Sequence, residues 1–161
     1  MDTTRYRLKV TLRGSRPAIW RRIEVDADVT LFRLHKILQA VMGWTDSHLH
    51  QYRCGSTYYG QSDPEFGMHR ENERRIRLRE VLRKPKGRMV YEYDFGDGWE
   101  HEVVLESSDV DTGGGPEVRV VAGKGACPPE DVGGIGGYYR FLEVIADPKD
   151  PEHKDMLEWG G

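Results

Sequence analysis

The segment Tyr91-Glu-Tyr-Asp-Phe-Gly-Asp-Gly-Trp-Glu-His101 sets Asp94, Asp97, Glu100 and His101 close together, and Glu130-Asp131 adds two more carboxylates downstream. Oxygen donors of this kind hold hard divalent cations such as Mg²⁺ or Mn²⁺. Clustered carboxylates around one or two such ions are common equipment for nuclease-type phosphoryl transfer. On that reading Asp94, Asp97, Glu130 and Asp131 are candidate metal ligands, and His101 is the candidate catalytic acid/base. The structural alternative gives each acid a plainer duty. Asp97 makes the turn, Asp94 meets Arg21 or Arg22, Glu130 and Asp131 cap loop amides, and His101 is a satisfied core histidine. Turn and ion-pair roles explain most such acids without any metal.

A softer set is available in His48, His50 and Cys54, which alternate along one stretch, with His101 and Cys127 elsewhere. Zinc accepts such a mixture. Alternate strand positions make a row rather than a shell, and no pair has a zinc spacing, so buried polar duty beside a core thiol explains them better. Cys127 as a nucleophile with His101 as its base is a further arrangement, which the spacing does not support. Gly133-Gly-Ile-Gly-Gly137 precedes a helix as anion-binding starts do. It fits neither GxGxxG nor a P-loop, and Asp94-Phe-Gly96 lacks every companion segment of a kinase.

These residues need elements to position them, and the hairpin predicts its own register. Met89, Tyr91, Tyr93 and Phe95 alternate with Glu92 and Asp94, and Trp99, His101, Val103 and Leu105 alternate with Glu100, Glu102 and Glu106. A two-residue Asp97-Gly98 loop would mix aromatics and acids on one face. A three-residue loop, Gly96-Asp97-Gly98, pairs Phe95 with Trp99, Tyr93 with His101 and Tyr91 with Val103, keeping one face apolar. It also puts Asp94 opposite Glu100 and Glu92 opposite Glu102. Like charges directly opposite are destabilising, so Arg or Lys side chains, or a metal ion, are expected there.

Upstream, Tyr6, Leu8, Val10 and Leu12 alternate with Arg5, Arg7, Lys9 and Thr11, a half-buried strand with a basic outer face. Ile19, Ile23 and Val25 mark a second strand. Arg21 falls on its apolar side, which predicts an acidic partner. Thr30 caps a helix with the stripe Leu31, Leu34, Ile37, Leu38 and Val41, ended by Gly43. His48 to Cys54 read as a strand that Tyr58-Tyr59-Gly60 continues, 61–75 as a mobile polar loop, and Leu78, Val81 and Leu82 as helical turns. After the hairpin come a turn at 113–116, a short strand at Val118, Val120 and Val121, and a Gly/Pro-rich loop over 123–137. A helix then carries Tyr138, Phe141, Leu142 and Ile145. Asp150 caps a last helix, with Pro151 at its first position and Gly160 at its end. The order predicts an α+β fold, a mixed or mostly antiparallel sheet with helices packed on it.

The chain of 161 residues suits a single compact domain. No apolar run approaches a membrane span, and Met1-Asp-Thr-Thr-Arg5 lacks the apolar core of a signal peptide. Cys54 and Cys127 form no CxxC and read as reduced thiols in a cytoplasmic protein. Charge is strongly segregated. Residues 5–22 hold bases and no acid, residues 70–88 are strongly basic, and residues 89–118 hold acids and no base. The plain reading is that these segments neutralise one another in the fold. The alternative is a nucleic-acid face, with residues 70–88 and the first strands on phosphates and Trp20 or Tyr58 stacking on bases. No helix-turn-helix or zinc finger is visible, and the pI near 6.1 is low for a dedicated binder.

Several runs carry a family resemblance. They are Ile19-Trp-Arg-Arg-Ile-Glu-Val25, Met42-Gly-Trp44, His48-Leu-His50 with Tyr59-Gly60, the hairpin 91–101, Gly123-Lys-Gly-Ala-Cys-Pro-Pro-Glu-Asp-Val-Gly-Gly134, and Ala146-Asp-Pro-Lys-Asp-Pro-Glu-His153 through Leu157-Glu-Trp159. Together the chain resembles the plasmid pRiA4b ORF-3-like family over nearly its whole length. The resemblance implies a compact α+β domain of the kind carried as a passenger by plasmids and insertion sequences. Some such proteins bear a TnpR or resolvase-like label, and the resemblance implies no defined activity. Members usually continue beyond Glu158-Trp159-Gly160 into an acidic, Phe-containing stretch, whereas this chain stops at Gly161.

The expected function is therefore that of an accessory binding domain associated with plasmids and transposable elements. It would recognise a ligand, protein or nucleic acid through a groove between the hairpin and the Cys127–Gly137 loop. Arg21, Arg22, Tyr93, Trp99 and Cys127 are the candidate ligand-binding residues. No cofactor is expected beyond a divalent metal ion. The alternative is a divalent-metal-dependent hydrolase or nuclease using the acidic hairpin.

Overall fold

The computed structural model describes residues 3–61, 69–111 and 115–161. The strands are β1 (Thr3–Leu12), β2 (Trp20–Asp26), β3 (His50–Cys54), β4 (Thr57–Gly60), β5 (Glu71–Asn72), β6 (Arg88–Tyr93), β7 (Trp99–Asp111) and β8 (Val118–Lys124). The helices are α1 (Leu31–Met42), α2 (Leu78–Val81), α3 (Gly134–Ala146) and α4 (His153–Gly160). One sheet orders the strands β5-β4-β3-β6-β7-β1-β2-β8. Every pairing is antiparallel except β4 with β5. The α+β class read from the sequence is therefore the fold, with a mostly antiparallel sheet.

The sheet has two unlike faces because the strands alternate. Tyr6, Leu8, Val10 and Leu12 of β1 join Tyr91, Tyr93, Trp99, His101 and Val103 on the buried face, in one core with Leu31, Leu34 and Leu38 of α1. Thr30 Oγ1 accepts from the Arg33 amide at 3.1 Å, which starts α1. Gly43 stops it at φ 110°, where the Gly43 and Trp44 amides both reach the Gln39 carbonyl. The other face is a lattice of ion pairs between the segregated segments. Arg5 meets Asp111, Arg7 meets Glu24, Arg22 meets Glu106, and Arg88 meets Glu102. The basic β1–β2 stretch and the acidic β7 thus neutralise one another.

Several expectations are corrected. The hairpin pairs Tyr93 with Trp99, Tyr91 with His101 and Met89 with Val103, two residues away from the predicted register. A slip of two leaves every side chain on its own face, so the hydrophobic pattern cannot detect it. Local turn chemistry decides instead. Asp94 adopts φ 63°, its Oδ1 accepts from the Gly96 and Asp97 amides, and its carbonyl accepts from Gly98 at 2.6 Å. The like-charged pair is Glu92 opposite Glu100, with Arg53 2.7 Å and Arg13 3.7 Å from Glu100. The cations expected opposite the hairpin acids are therefore arginines.

Arg21 binds no carboxylate among the described residues. Its guanidinium donates to the carbonyls of Val41, Trp20 and Lys124, and the first of these lies at the end of α1, where carbonyls lack intrahelical partners. α3 begins at Gly134, inside the stretch expected to be loop, with Gly133 at φ 102° as the preceding residue. α4 begins at His153, while the Asp150 carboxylate holds the Glu152 amide ahead of it. In the expected polar loop, 62–68 lie outside the described residues, but Glu71–Asn72 pair with β4 and Glu73 is buried. Of the turn expected at 113–116, residues 113 and 114 also lie outside them.

Candidate metal centre

Three separate segments meet at one end of the sheet. The connection from α1 to β3 carries His48, the hairpin turn carries Asp94, and the loop from β8 to α3 carries Glu130 and Asp131. Backbone bonds fix the first two together: the Asp94 amide donates to the Leu49 carbonyl at 2.8 Å. The Ser47 amide donates to the Tyr93 hydroxyl at 2.9 Å, and the Thr45 amide to Glu130 Oε1 at 2.9 Å. Glu130 Oε1 also accepts from the hydroxyls of Thr45 and Tyr93, at 3.1 and 3.0 Å. Burial pushes the Tyr93 phenol up to about 12, so it keeps its proton and donates.

The remaining valence of these groups converges on His48. Its Nε2 lies 2.8 Å from Asp131 Oδ1, 3.5 Å from Asp94 Oδ2 and 3.8 Å from Glu130 Oε2. His48, Asp94 and Asp131 present ligand atoms within 4.8 Å of one another. His48 Nε2 is buried, and beyond these ion-pair contacts it makes no hydrogen bond among the described residues. Glu130 Oε2 is likewise buried without a hydrogen bond. Among the described residues none of the three carboxylates forms an ion pair with a lysine or arginine.

Two members of the cluster occupy backbone that aspartate tolerates better than most residues. Asp94 sits at φ 63° and Asp131 at φ 62°. Asp94 divides its carboxylate, with Oδ1 on the turn amides and Oδ2 toward His48. Asp131 is 65% exposed, so the outer side of the cluster is open to solvent.

The other sequence candidates lie elsewhere. Asp97 Oδ2 accepts from the Gly133 amide at 3.1 Å and so ties the hairpin to the start of α3. His101 is fully buried. Its Nδ1 meets the Tyr91 carbonyl at 2.9 Å, and its Nε2 accepts from Trp44 Nε1 at 3.1 Å. Burial lowers its pKa to about 4, so the ring is neutral and neither nitrogen is open. Trp99 is fully buried beside Trp44, and its Nε1 has no partner among the described residues. Arg22 grips Glu106 through two bonds on the outer face. Burial drives the Cys127 thiol up to about 12, which removes the thiolate a nucleophile needs. Cys54 Sγ contacts the Arg88 carbonyl, so the softer histidine–cysteine set does not assemble.

A second group that spacing did not reveal joins α1, the connection to β3, and the start of β3. His35 and His50 stack with ring centroids 3.5 Å apart and 6° between planes. His35 Nε2 meets Asp46 Oδ1 at 2.9 Å, its Nδ1 meets the Tyr91 hydroxyl at 2.6 Å, and His50 Nε2 meets both Glu73 oxygens at 2.9 and 2.8 Å. Burial, and then the neighbouring His50, lowers the His35 pKa to about 4.

Comparison with known proteins agrees with this architecture. A crystal structure of MM3350 from Methanosarcina mazei Go1, a protein of unknown function, superposes with a TM-score of 0.89 at 35% identity, over 99% of this chain and 90% of that one. The uncharacterized protein y4hQ of Sinorhizobium fredii (strain NBRC 101917 / NGR234) is 43% identical over 157 residues, covering 96% of this chain and 80% of the relative. The family description "Plasmid pRiA4b ORF-3-like protein" matches residues 4–161. With the hairpin, the Cys-Pro-Pro-Glu-Asp loop and the terminal helices all inside that match, the chain belongs to the plasmid pRiA4b ORF-3-like family.

Proposed function

We propose that this chain is a ligand-binding domain of plasmids and other mobile elements, and that its working site is a divalent-cation centre built from His48, Asp94, Glu130 and Asp131. The observation that carries this reading is Glu130. Three donors anchor its Oε1, while its buried Oε2 lies 3.8 Å from His48 Nε2 and takes no hydrogen bond among the described residues. A bare buried carboxylate oxygen is strongly disfavoured unless a cation reaches it. One imidazole among three carboxylates favours Mn²⁺, Fe²⁺ or Zn²⁺ over Ca²⁺. The free thiols Cys54 and Cys127 support a reducing, cytoplasmic setting. No helix among the described residues is long and apolar enough to cross a membrane. The arginines of β1 and β2 offered to nucleic acid are engaged with acids of the same face, which favours a small ligand over a phosphate backbone.

The test is metal content of natively purified protein, followed by calorimetric titration of stripped protein with Mn²⁺ and Zn²⁺. One ion per chain, lost in Glu130→Gln, is expected. Equal binding by wild type and Glu130→Gln would remove the site from this reading. Hydrolysis is the second reading, favoured by the exposed side of the cluster at Asp131. An open position there would let a bound ion acidify a water. Phosphodiester and ester turnover that requires the ion and is lost with Asp94→Asn would support it.

A further inference from the structure

Asp131 also lines a cavity of about 290 Å³ between α3 and α4, with Val132, Gly137, Phe141, Met156 and Trp159. Gly137 forms part of its wall, and Gly160 packs on Phe141 behind it. A Cβ on Gly137 would stand 2.1 Å from the Val132 carbonyl oxygen, and one on Gly160 would stand 2.7 Å from the Phe141 ring. Only glycine lets α4 and the loop approach this closely. The Phe141 and Trp159 rings lie 5.8 Å apart at 71°, forming two sides of a corner. Trp159 remains 51% exposed. No lysine or arginine lines the cavity. Asp131 faces His48 through Oδ1, and its Oδ2 takes no hydrogen bond among the described residues.

We propose that this groove binds a small organic cation, a substituted ammonium ion of the choline type. Its charge would rest against the half-exposed Trp159 ring, which packs on the buried Phe141, with Asp131 as counter-ion. Aromatic faces attract cations through the ring quadrupole, and tryptophan does so most strongly. Such an ion is weakly hydrated and needs no hydrogen-bond acceptor, which suits walls of Val132, Met156 and aromatic carbon. A purely apolar guest would strip water from the Asp131 carboxylate without compensation, and an anion would be repelled by it. The volume is at the lower end for small-molecule sites, which favours a compact ion. The groove does not require the metal centre, because Oδ2 of Asp131 is available whether or not Oδ1 is ligated.

The experiment is titration of the whole chain, stripped of metal, with choline and with its neutral carbon isostere, in which a quaternary carbon replaces the nitrogen. Trp fluorescence and calorimetry give the readout. Choline should bind saturably and at least about tenfold more tightly than the isostere. Asp131→Asn, an exposed and conservative change, should reduce that preference severalfold, and Trp159→Phe should weaken choline severalfold as well. Equal affinity for the two ligands, or no saturation by choline at millimolar concentration, would overturn the proposal. A trimethyllysine peptide binding about tenfold more tightly than choline would assign the groove to a protein partner instead. A dimer that buries Trp159 would assign it to a second copy. Because metal is absent throughout, failure of the metal centre leaves this result unaffected.

Discussion

Two histidine–carboxylate clusters draw on the connection from α1 to β3, and by proximity alone either could hold a cation. His35, Asp46 and His50 bring ligand atoms within 4.8 Å, as do His48, Asp94 and Asp131. They differ in what remains unbonded. In the first, both His35 nitrogens have partners, and His50 holds both Glu73 oxygens. That cluster is a closed polar core whose members rigidify one another. In the second, His48 Nε2 and Glu130 Oε2 are buried and take no hydrogen bond among the described residues, although His48 lies 2.8 Å from Asp131. Closeness marks a cluster of titratable groups, and unused valence marks a site.

That contrast can be broken most directly by removing His35. His35→Ala should destabilise the fold by about 3 kcal/mol, because it opens a cavity and strands Tyr91 and Asp46. Urea unfolding measures the loss, and metal titration of the folded fraction should be unchanged. The complementary change is Asp94→Asn, which keeps the turn acceptor and the tolerated backbone. It should weaken Mn²⁺ affinity by about 100-fold while stability moves by less than about 1 kcal/mol. A large stability loss here with intact metal binding would reverse the two assignments.

Acid sharpens the comparison further. His35 and His101 have folded pKa values of about 4, below the 6.5 of a free imidazole. The unfolded chain therefore binds more protons between these values, and stability rises with pH across that window. It should be fully present above about pH 6.5 and fall progressively toward pH 4, by about 3 kcal/mol for each ring. Unfolding curves at several pH values test this, and His101→Gln should flatten part of the slope. The smallest effect is expected from Tyr93→Phe, which removes one of the donors to Glu130 Oε1. Metal affinity should drop about tenfold, and stability by about 1 kcal/mol.

Much of the fold is written in local patterns. Thr30 and Gly43 bound α1 because a cap and a left-handed stop are short-range chemistry. The charge blocks announce the ion-paired outer face because adjacent strands must neutralise each other. The hairpin's faces are equally plain, yet its register depends on how Asp94 folds back on Gly96 and Gly98, which alternation does not encode. Gly133-Gly-Ile-Gly-Gly137 reads as loop because glycine is a poor helix former, but the approach of Gly134 to Asp97 and of Gly137 to Val132 requires it at the start of α3. Asp94, Glu130 and Asp131 are visible as oxygen donors, and His48 as a nitrogen donor for a different metal. No spacing joins them, since the Leu49–Asp94 and Thr45–Glu130 bonds that bring them together connect distant segments.

Asp94 meets several demands in one side chain: a left-handed backbone, an acceptor for the turn, and an oxygen directed at His48. Asparagine meets the first two and not the charge, glycine meets only the first, and other residues meet fewer still. The codons of aspartate and asparagine differ by a single transition. A lineage released from selection on the site therefore has a short mutational exit at this position that leaves the hairpin standing. Asparagine at position 94 would be the genetic trace of a site given up while its scaffold was kept.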